Sequence, residues 1–294
     1  MERVYRGNSI VGSNPTLSAK VMNSLKKIEK FFDYYIKRVT EYPLKELKDQ
    51  ISNETHNQLI PPCVYQTWEN KFFGKTHYQE ILKFRDVNKD LSFILFDKTA
   101  RDEYMEKYWS SHEIHHVYKN VKFGVMESDI FRHCILYERG GYYFDISKGC
   151  SVSIKSLHEK DTEAFLSNEP VECIIPPSEK IFPLLKFPHN NFLTWGLGFK
   201  KNHLIPKMMI ENIVNDYKFY ENKIFFKPKT AVLSLTATGQ FTKVVRSYFE
   251  NYGCNNIIQS GIYFDNQGIF SMKGCRVRHH LVQSYADIRN ESVI

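Results

Sequence analysis

No stretch of this 294-residue chain is apolar for long enough to span a bilayer, so no transmembrane helix is expected. The six cysteines (Cys63, Cys134, Cys150, Cys173, Cys254 and Cys275) are scattered and form no CxxC pair. With no signal peptide before them, they read as buried thiols in a reducing compartment. The expected location is therefore cytoplasmic, at most peripheral on the inner face of a membrane. Internal repeats and low-complexity tracts are lacking too. The net charge of +7 comes from lysines spread along the chain, without an Arg-rich stripe, an RNP-like strand or zinc-finger spacing. A basic nucleic-acid-binding protein is thus only an alternative, and no nucleic-acid partner is expected. The charge also suits a phosphorylated ligand or an anionic surface.

What is abundant is aromatic area, with 22 Phe, 18 Tyr and 3 Trp. Most of it is core, though flat rings also suit stacking on bases and sugars. Residues 1–21 are polar and aperiodic. Gly12-Ser13-Asn14-Pro15 is what a tRNA-gene T-arm would read in one frame, so these residues are expected to be a tail outside the fold, with Met22 as the true start. Residues 22–58 form an N-terminal helical segment: Leu25, Ile28, Phe31, Phe32, Tyr35 and Ile36 recur at helical spacing between lysines, until Pro43 interrupts them. Such a helix packs on a core or lies on a membrane surface. Residues 59–294 carry the rest.

Strands are expected at Cys63–Trp68, Ser92–Phe96, Tyr142–Ile146, Ala164–Leu166, Phe192–Phe199 and Arg276–His280. Helices are expected from Thr99, around Asp129, over Ile205–Tyr220 and over Thr238–Tyr252. Their alternation implies an α/β fold with a mostly parallel central sheet flanked by helices. Lys155–His189 and Lys223–Ser234 read as irregular loops that would set specificity.

Chemistry concentrates in Ser128 to Ser147, SDIFRHCILYERGGYYFDIS. Asp129 and Arg132, three apart, share a helix face, a spacing that often makes only a surface ion pair. Here the helix runs into Gly140-Gly141 and an aromatic strand that ends in Asp145. In a strand, residues 145 and 147 would point the same way, and two acids there would clamp one divalent cation. Position 147 is Ser, a weaker ligand.

This segment resembles the DxD sugar-binding region of retaining glycosyltransferases, above all the Och1-like glycosyltransferase family 32, which is related to the glucosyltransferase domains of large clostridial toxins. Ser128, Asp129, Arg132, Gly140, Gly141, Tyr143 and Asp145 match, and the final acid is missing. Ile60-Pro61 through Gln66-Thr67-Trp68 is similar to the family's entry strand, and Asn190-Asn191-Phe192 to its donor-lining segment. Thr238-Gly239 resembles its TG turn, with Gln240 for Pro. His279 to Tyr285 resembles its H-x-x-x-S-W close, with Tyr for Trp.

The resemblance implies a GT-A-type nucleotide-sugar-binding fold and transfer of a hexose from a UDP- or GDP-sugar to a saccharide or lipid-linked acceptor, with retention. It places Asp145, Asp129 and Arg132 at the reaction. Donor contacts fall to Trp68, Gln66, Asp129, Arg132, Tyr143, Asp145, Asn190, Asn191, Gly239, Ser284 and Tyr285. Asp145 and His280, with Ser147 in doubt, would hold Mn²⁺ or Mg²⁺; Lys148 could serve as a fixed positive charge instead. Manganese use and a part in polysaccharide biosynthesis are further implications.

One motif competes. His112-Glu113-Ile114-His115-His116 fits HExxH, in which two histidines one turn apart bind zinc and the Glu activates water. A zinc metalloprotease is the second alternative, although no third ligand is identifiable.

Overall fold

The computed structural model describes residues 39–54, 57–276 and 285–294, together with 21, 22, 24, 25, 28, 32 and 36. The chain divides into two compact units, Met1–Tyr42 and Pro43–Ile294. In the first, the described residues from 21 to 40 are helical, and Leu25, Ile28, Phe32, Ile36 and Val39 are exposed along them at steps of three and four. Residues 1–20 of the expected tail lie outside the described residues.

The larger unit opens with Lys45–Glu46 paired to Phe72–Phe73, and with Gln50 bridged to Phe93. Its main elements then follow as β1 (Cys63–Thr67), α1 (Lys75–Val87), β2 (Ser92–Phe96), α2 (Lys98–Trp109), α3 (Glu113–Asn120), α4 (Gly124–Arg139) and β3 (Gly141–Phe144). After these come β4 (Ala164–Glu172), β5 (Asn190–Phe192), β6 (Gly196–Phe199), α5 (Leu204–Tyr220), α6 (Pro228–Leu235), α7 (Thr238–Tyr252) and β7 (Ile257–Ile262). The helices start and stop where side chains dictate. Asp97 caps α2 by accepting from the Ala100 N–H at 2.9 Å, and Gly140 ends α4 at a φ of +69°.

Seven strands form one sheet in the order β7-β4-β6-β3-β1-β2, with β5 on β4. The α/β expectation holds, but the sheet is mixed: β1–β2, β1–β3 and β4–β7 are parallel, whereas β3–β6, β4–β6 and β4–β5 are antiparallel. The cause is β6. The expected continuous strand Phe192–Phe199 breaks after Phe192, and Leu193 to Trp195 carry the chain over to an antiparallel slot between β3 and β4. Glycines make the slot fit, because a Cβ on Gly198 would lie 2.8 Å from the Tyr142 ring and one on Gly196 2.8 Å from Phe264.

Period-two alternation then sorts side chains to the two faces. Val64, Phe93, Tyr142, Phe144 and Phe165 pack on one; Tyr65, Tyr143, Leu166, Leu197 and Phe199 join α4, α5 and α7 on the other. Two other expectations change. The segments read as irregular loops contain the long strand β4 and the helix α6. Of the expected strand Arg276–His280, Arg276 sits in a turn and the remainder lies outside the described residues.

The crossing from α4 to β3 is the tightest point. Gly140 and Gly141 have φ of +69° and +99°, and a Cβ on them would come within 2.5 Å of the Lys201 nitrogen and 2.6 Å of the Cys63 carbonyl oxygen. Gly141→Ala should therefore cost about 1–3 kcal/mol from the backbone conformation alone, with the clash added, and urea unfolding measures it. A variant as stable as the wild type would show that the close approach is not required.

Candidate functional site

The middle of helix α4, from Asp129 to Leu136, is buried, so the polar residues there are shut off from solvent. Asp129 is 2% exposed and Arg132 3% exposed. The pair is a buried ion pair, not the surface pair its spacing often makes, with Arg132 Nη2 2.9 Å from Asp129 Oδ1. The Gly-Gly turn reverses the chain and lays β3 beside the helix. Arg132 Nη2 then reaches Asp145 Oδ1 at 3.2 Å, and Nη1 donates to the Thr194 carbonyl at 2.6 Å. Beneath them the Tyr143 ring centroid lies 4.6 Å from the guanidinium carbon.

Each group shifts accordingly. Burial pushes the Asp129 carboxyl up to about 7, against the pull of Arg132; Asp145 adds to the rise and the Thr236 hydroxyl, donating at 3.0 Å, opposes it. Burial opposes the Arg132 charge, yet Tyr143, Asp145 and Asp129 together hold its pKa above the ordinary value. Burial chiefly raises the Tyr143 phenol far above its usual range.

Asp145 is the member of the cluster nearest solvent, with a third of its side chain exposed. Strand β3 ends at Phe144, so Asp145 and Ser147 lie in a turn closed by the Lys148 N–H donating to the Asp145 carbonyl at 2.8 Å. The strand argument for residues 145 and 147 pointing alike therefore lapses. The Lys148 ammonium sits 3.6 Å from the Phe270 ring centroid and 5.9 Å from that of Trp195. Burial lowers its pKa, while Asp145 and Glu169 act to raise it.

The other sequence-derived residues spread around this cluster. Trp68 is half-buried at the end of β1. Gln66 is wholly buried and accepts from Arg85 Nη2 at 3.4 Å, so it faces the interior. Asn190 and Asn191 bond backbone of β4, Asn190 Nδ2 donating to the Glu169 carbonyl at 3.0 Å and Asn191 Nδ2 to Glu172 at 3.3 Å. Gly239 lies in the first turn of α7. Tyr285 packs on Phe123 with ring centroids 6.3 Å apart. His280 and Ser284 lie outside the described residues.

Three residues had no motif to announce them. Arg101, fully buried, donates to Thr67 Oγ1 at 3.1 Å and Ser128 Oγ at 3.3 Å, and also pairs with Glu127, tying the end of β1 to the start of α4. Thr236 braces Asp129 from the end of α6. Glu169 lies on β4 where the pairing with β5 slips register, and shares a side-chain hydrogen bond with Thr238. Burial pushes its carboxyl up to about 7, with Thr238, Lys148 and Lys229 pulling the other way.

Among the described residues, no group of three His, Cys, Asp or Glu side chains could hold a metal ion. Near Asp145 the donor set is one carboxylate, already paired to Arg132, and the Ser147 side chain. These residues alone do not fit a hard divalent cation, which takes several oxygen ligands. The HExxH reading also lapses: His112 is the cap of α3, its Nδ1 accepting from the Ile114 N–H at 3.1 Å, while His115 pairs with Glu106 and His116 packs on Tyr217.

Removal of Arg132 should strand two acids. Arg132→Met is expected to lose about 3–5 kcal/mol near pH 8, as for other broken buried pairs. Because burial already favours the protonated form of Asp129, the folded variant takes up a proton as pH falls, and part of the loss should return by pH 5. Urea unfolding at both pH values checks this; a pH-independent deficit would mean that Asp129 is not the stranded charge.

Residues 65–164 match the family described as glycosyltransferase sugar-binding region containing DXD motif. An initiation-specific alpha-1,6-mannosyltransferase of Candida albicans is 24% identical over 242 residues, 75% of this chain and 61% of that protein. Inositol phosphoceramide mannosyltransferase 2 of Schizosaccharomyces pombe is 27% identical over 39% of this chain and 33% of its own length. The chain thus spans less than two thirds of these curated relatives. Among solved structures, a PaToxG glycosyltransferase is similar with a TM-score of 0.47 and 17% identity, covering 78% of this chain and 79% of that one. Trp68, the Asp129–Arg132 pair and Asp145 all fall inside the matched region, and the chain accordingly carries a glycosyltransferase sugar-binding region of the DXD class and resembles the Och1-like glycosyltransferases.

Proposed function

We propose that this protein transfers a hexose from a UDP- or GDP-sugar to a hydroxyl of a saccharide or lipid-linked acceptor, with retention of configuration. The observation that carries the reading is Arg132, held between buried Asp129 and part-exposed Asp145 where β3 ends. A fixed guanidinium beside an accessible carboxylate gives a charge-assisted grip on sugar hydroxyls and diphosphate. Asp129, braced by Thr236, keeps that guanidinium oriented, and half-buried Trp68 offers a face for the base.

In the reaction the bond from the anomeric carbon to the diphosphate breaks while the acceptor oxygen approaches the same face of the sugar. Arg132 and Lys148 face the negative charge that develops on the leaving group, and their preorganisation lowers its cost. DXD glycosyltransferases generally bind a divalent cation, but the described residues around Asp145 do not fit one, so in this reading the charge of the leaving diphosphate falls to Arg132 and Lys148.

The names of the curated relatives make mannose the first sugar to test. The apolar, lysine-flanked helix before Pro43 supports a peripheral site on an anionic membrane face, with residues 59–294 as the catalytic domain in the cytoplasm. A lipid-linked acceptor, as in polysaccharide biosynthesis, suits the exposed Ile174 and Ile175 beyond β4.

A thermal-shift screen of UDP- and GDP-hexoses, each with and without Mn²⁺, tests ligand class and metal need together. A donor at about 100 times its Kd should add about 2.7 kcal/mol of stability, and Asp145→Ala should abolish that gain. No response to any nucleotide sugar, or an undiminished response in Asp145→Ala, would sink the assignment. Proton NMR of the first-formed product reports the anomeric outcome.

A further inference from the structure

Just beyond β7 the backbone does something that side chains ordinarily forbid. Tyr263, Phe264, Asp265 and Asn266 have φ of +47°, +56°, +54° and +66°, a left-handed run of four non-glycine residues. Phe264 maintains it. Its ring is wholly buried and stacks on Phe165 with centroids 5.0 Å apart, and its N–H donates to Ser167 Oγ at 2.9 Å. The run sets Tyr263 beside Trp195, ring centroids 6.0 Å apart, and Phe270 follows at 5.2 Å from Tyr263.

Hydrogen bonds tie these rings to the site. The Trp195 carbonyl accepts from the Asp145 N–H at 2.9 Å. Gly268–Ile269 pairs with Gly149–Cys150, and the Met272 N–H donates to the Ser147 carbonyl at 2.9 Å. Phe270 and Ser271 stand between those two anchors. Phe270 remains 47% exposed although the Lys148 ammonium lies 3.6 Å from its centroid. Tyr263 and Phe270 thus form a fixed, part-exposed aromatic shelf, backed by Trp195, at the Asp145 turn.

Strand order says which substrate the shelf serves. The pairings bring the ends of β1, β3 and β7 and the start of β6 to one edge of the sheet. Trp68 follows β1, Asp145 follows β3, Trp195 leads into β6 and Tyr263 follows β7. In the order β7-β4-β6-β3-β1-β2, the shelf lies on one side of Asp145 and Trp68 on the other. A donor with its base at Trp68 and its diphosphate and sugar at Arg132 and Asp145 leaves the shelf to the acceptor.

We propose that Tyr263 and Phe270 form an acceptor subsite that stacks on a pyranose ring, so that the acceptor is a saccharide. This rests on the glycosyltransferase reading above. A pyranose presents a face of C–H groups that packs on aromatic rings and a rim of hydroxyls. Apolar rings beside a few polar groups, here Ser271 and Lys148, are the usual make-up of a small-ligand site.

The test uses the full chain. Saturation-transfer NMR with the methyl glycosides of mannose, glucose and galactose reads the shelf, and thermal shift with UDP- and GDP-hexoses reads the donor. Wild type should bind at least one glycoside, with saturation strongest on the ring C–H protons. Phe270→Ala should weaken that glycoside about tenfold, in Kd and in acceptor KM. Phe270→Tyr should recover it to within about threefold of wild type, and nucleotide-sugar affinity should stay within about threefold in both. Phe219→Ala, which removes an exposed ring on α5, should change neither ligand.

No glycoside bound by wild type, an unchanged Kd in Phe270→Ala, or an equal loss in Phe219→Ala would overturn the proposal. So would a weakened nucleotide sugar with an unchanged glycoside, which would give the shelf to the donor. If no nucleotide sugar stabilises the wild type, the glycosyltransferase reading itself fails, whatever the glycosides do, and the two failures are distinguishable.

Discussion

A buried cation needs partners, and in this protein that need organises the site. Arg132 is 3% exposed, so leaving its charge uncompensated would cost several kcal/mol. Asp129 meets it from the same helix, Asp145 from the turn just after β3, and the Thr194 carbonyl from the link before β6. Those three come from separate stretches of chain. Satisfying one guanidinium therefore fixes helix, strand end and link in a single arrangement. The Gly140-Gly141 crossing matters because it lets β3 come close enough for Asp145 to be one of the partners.

The same constraint divides the site into a fixed interior and a partly exposed rim. Asp129, Thr236, Tyr143 and Arg132 are enclosed, with Thr236 bonded to Asp129 and Asp129 paired to Arg132. Arg101 does similar work at the other end of α4, locking the end of β1 to Ser128 and Glu127. Asp145, Lys148 and Glu169 stand nearer solvent. Desolvation still acts on Lys148 and Glu169, in opposite directions for cation and acid, so two groups ordinarily far apart in pKa are brought closer. A rigid charge behind a partly wet rim suits the binding of an anionic ligand without collapse of the site around it.

Much of the site could be read in the primary structure because its strongest signals are local. The Asp129 helix, the paired glycines and the aromatic strand lie within twenty consecutive residues, and the helix expected over Thr238–Tyr252 is α7 to the residue. The same local logic misread two places. HExxH suggested a zinc helix, but the helix begins after His112, whose ring nitrogen is used as a cap. A same-face clamp at 145 and 147 assumed a strand that ends at Phe144.

The sequence by itself determined the α/β class, the main helices and the Asp129–Arg132–Asp145 constellation, since helix and strand periodicity and turn glycines act over neighbouring residues. Only the tertiary structure decided that the sheet is mixed, that the Asp129–Arg132 pair is buried, and that Thr236 braces it. Glu169 lies outside the matched sugar-binding region and in no motif. Its surroundings come from α6, α7 and the turn after β3, and strand order in space, not spacing along the chain, brings them together. Burial and charge, which set what a carboxyl can do, are properties of that assembled neighbourhood.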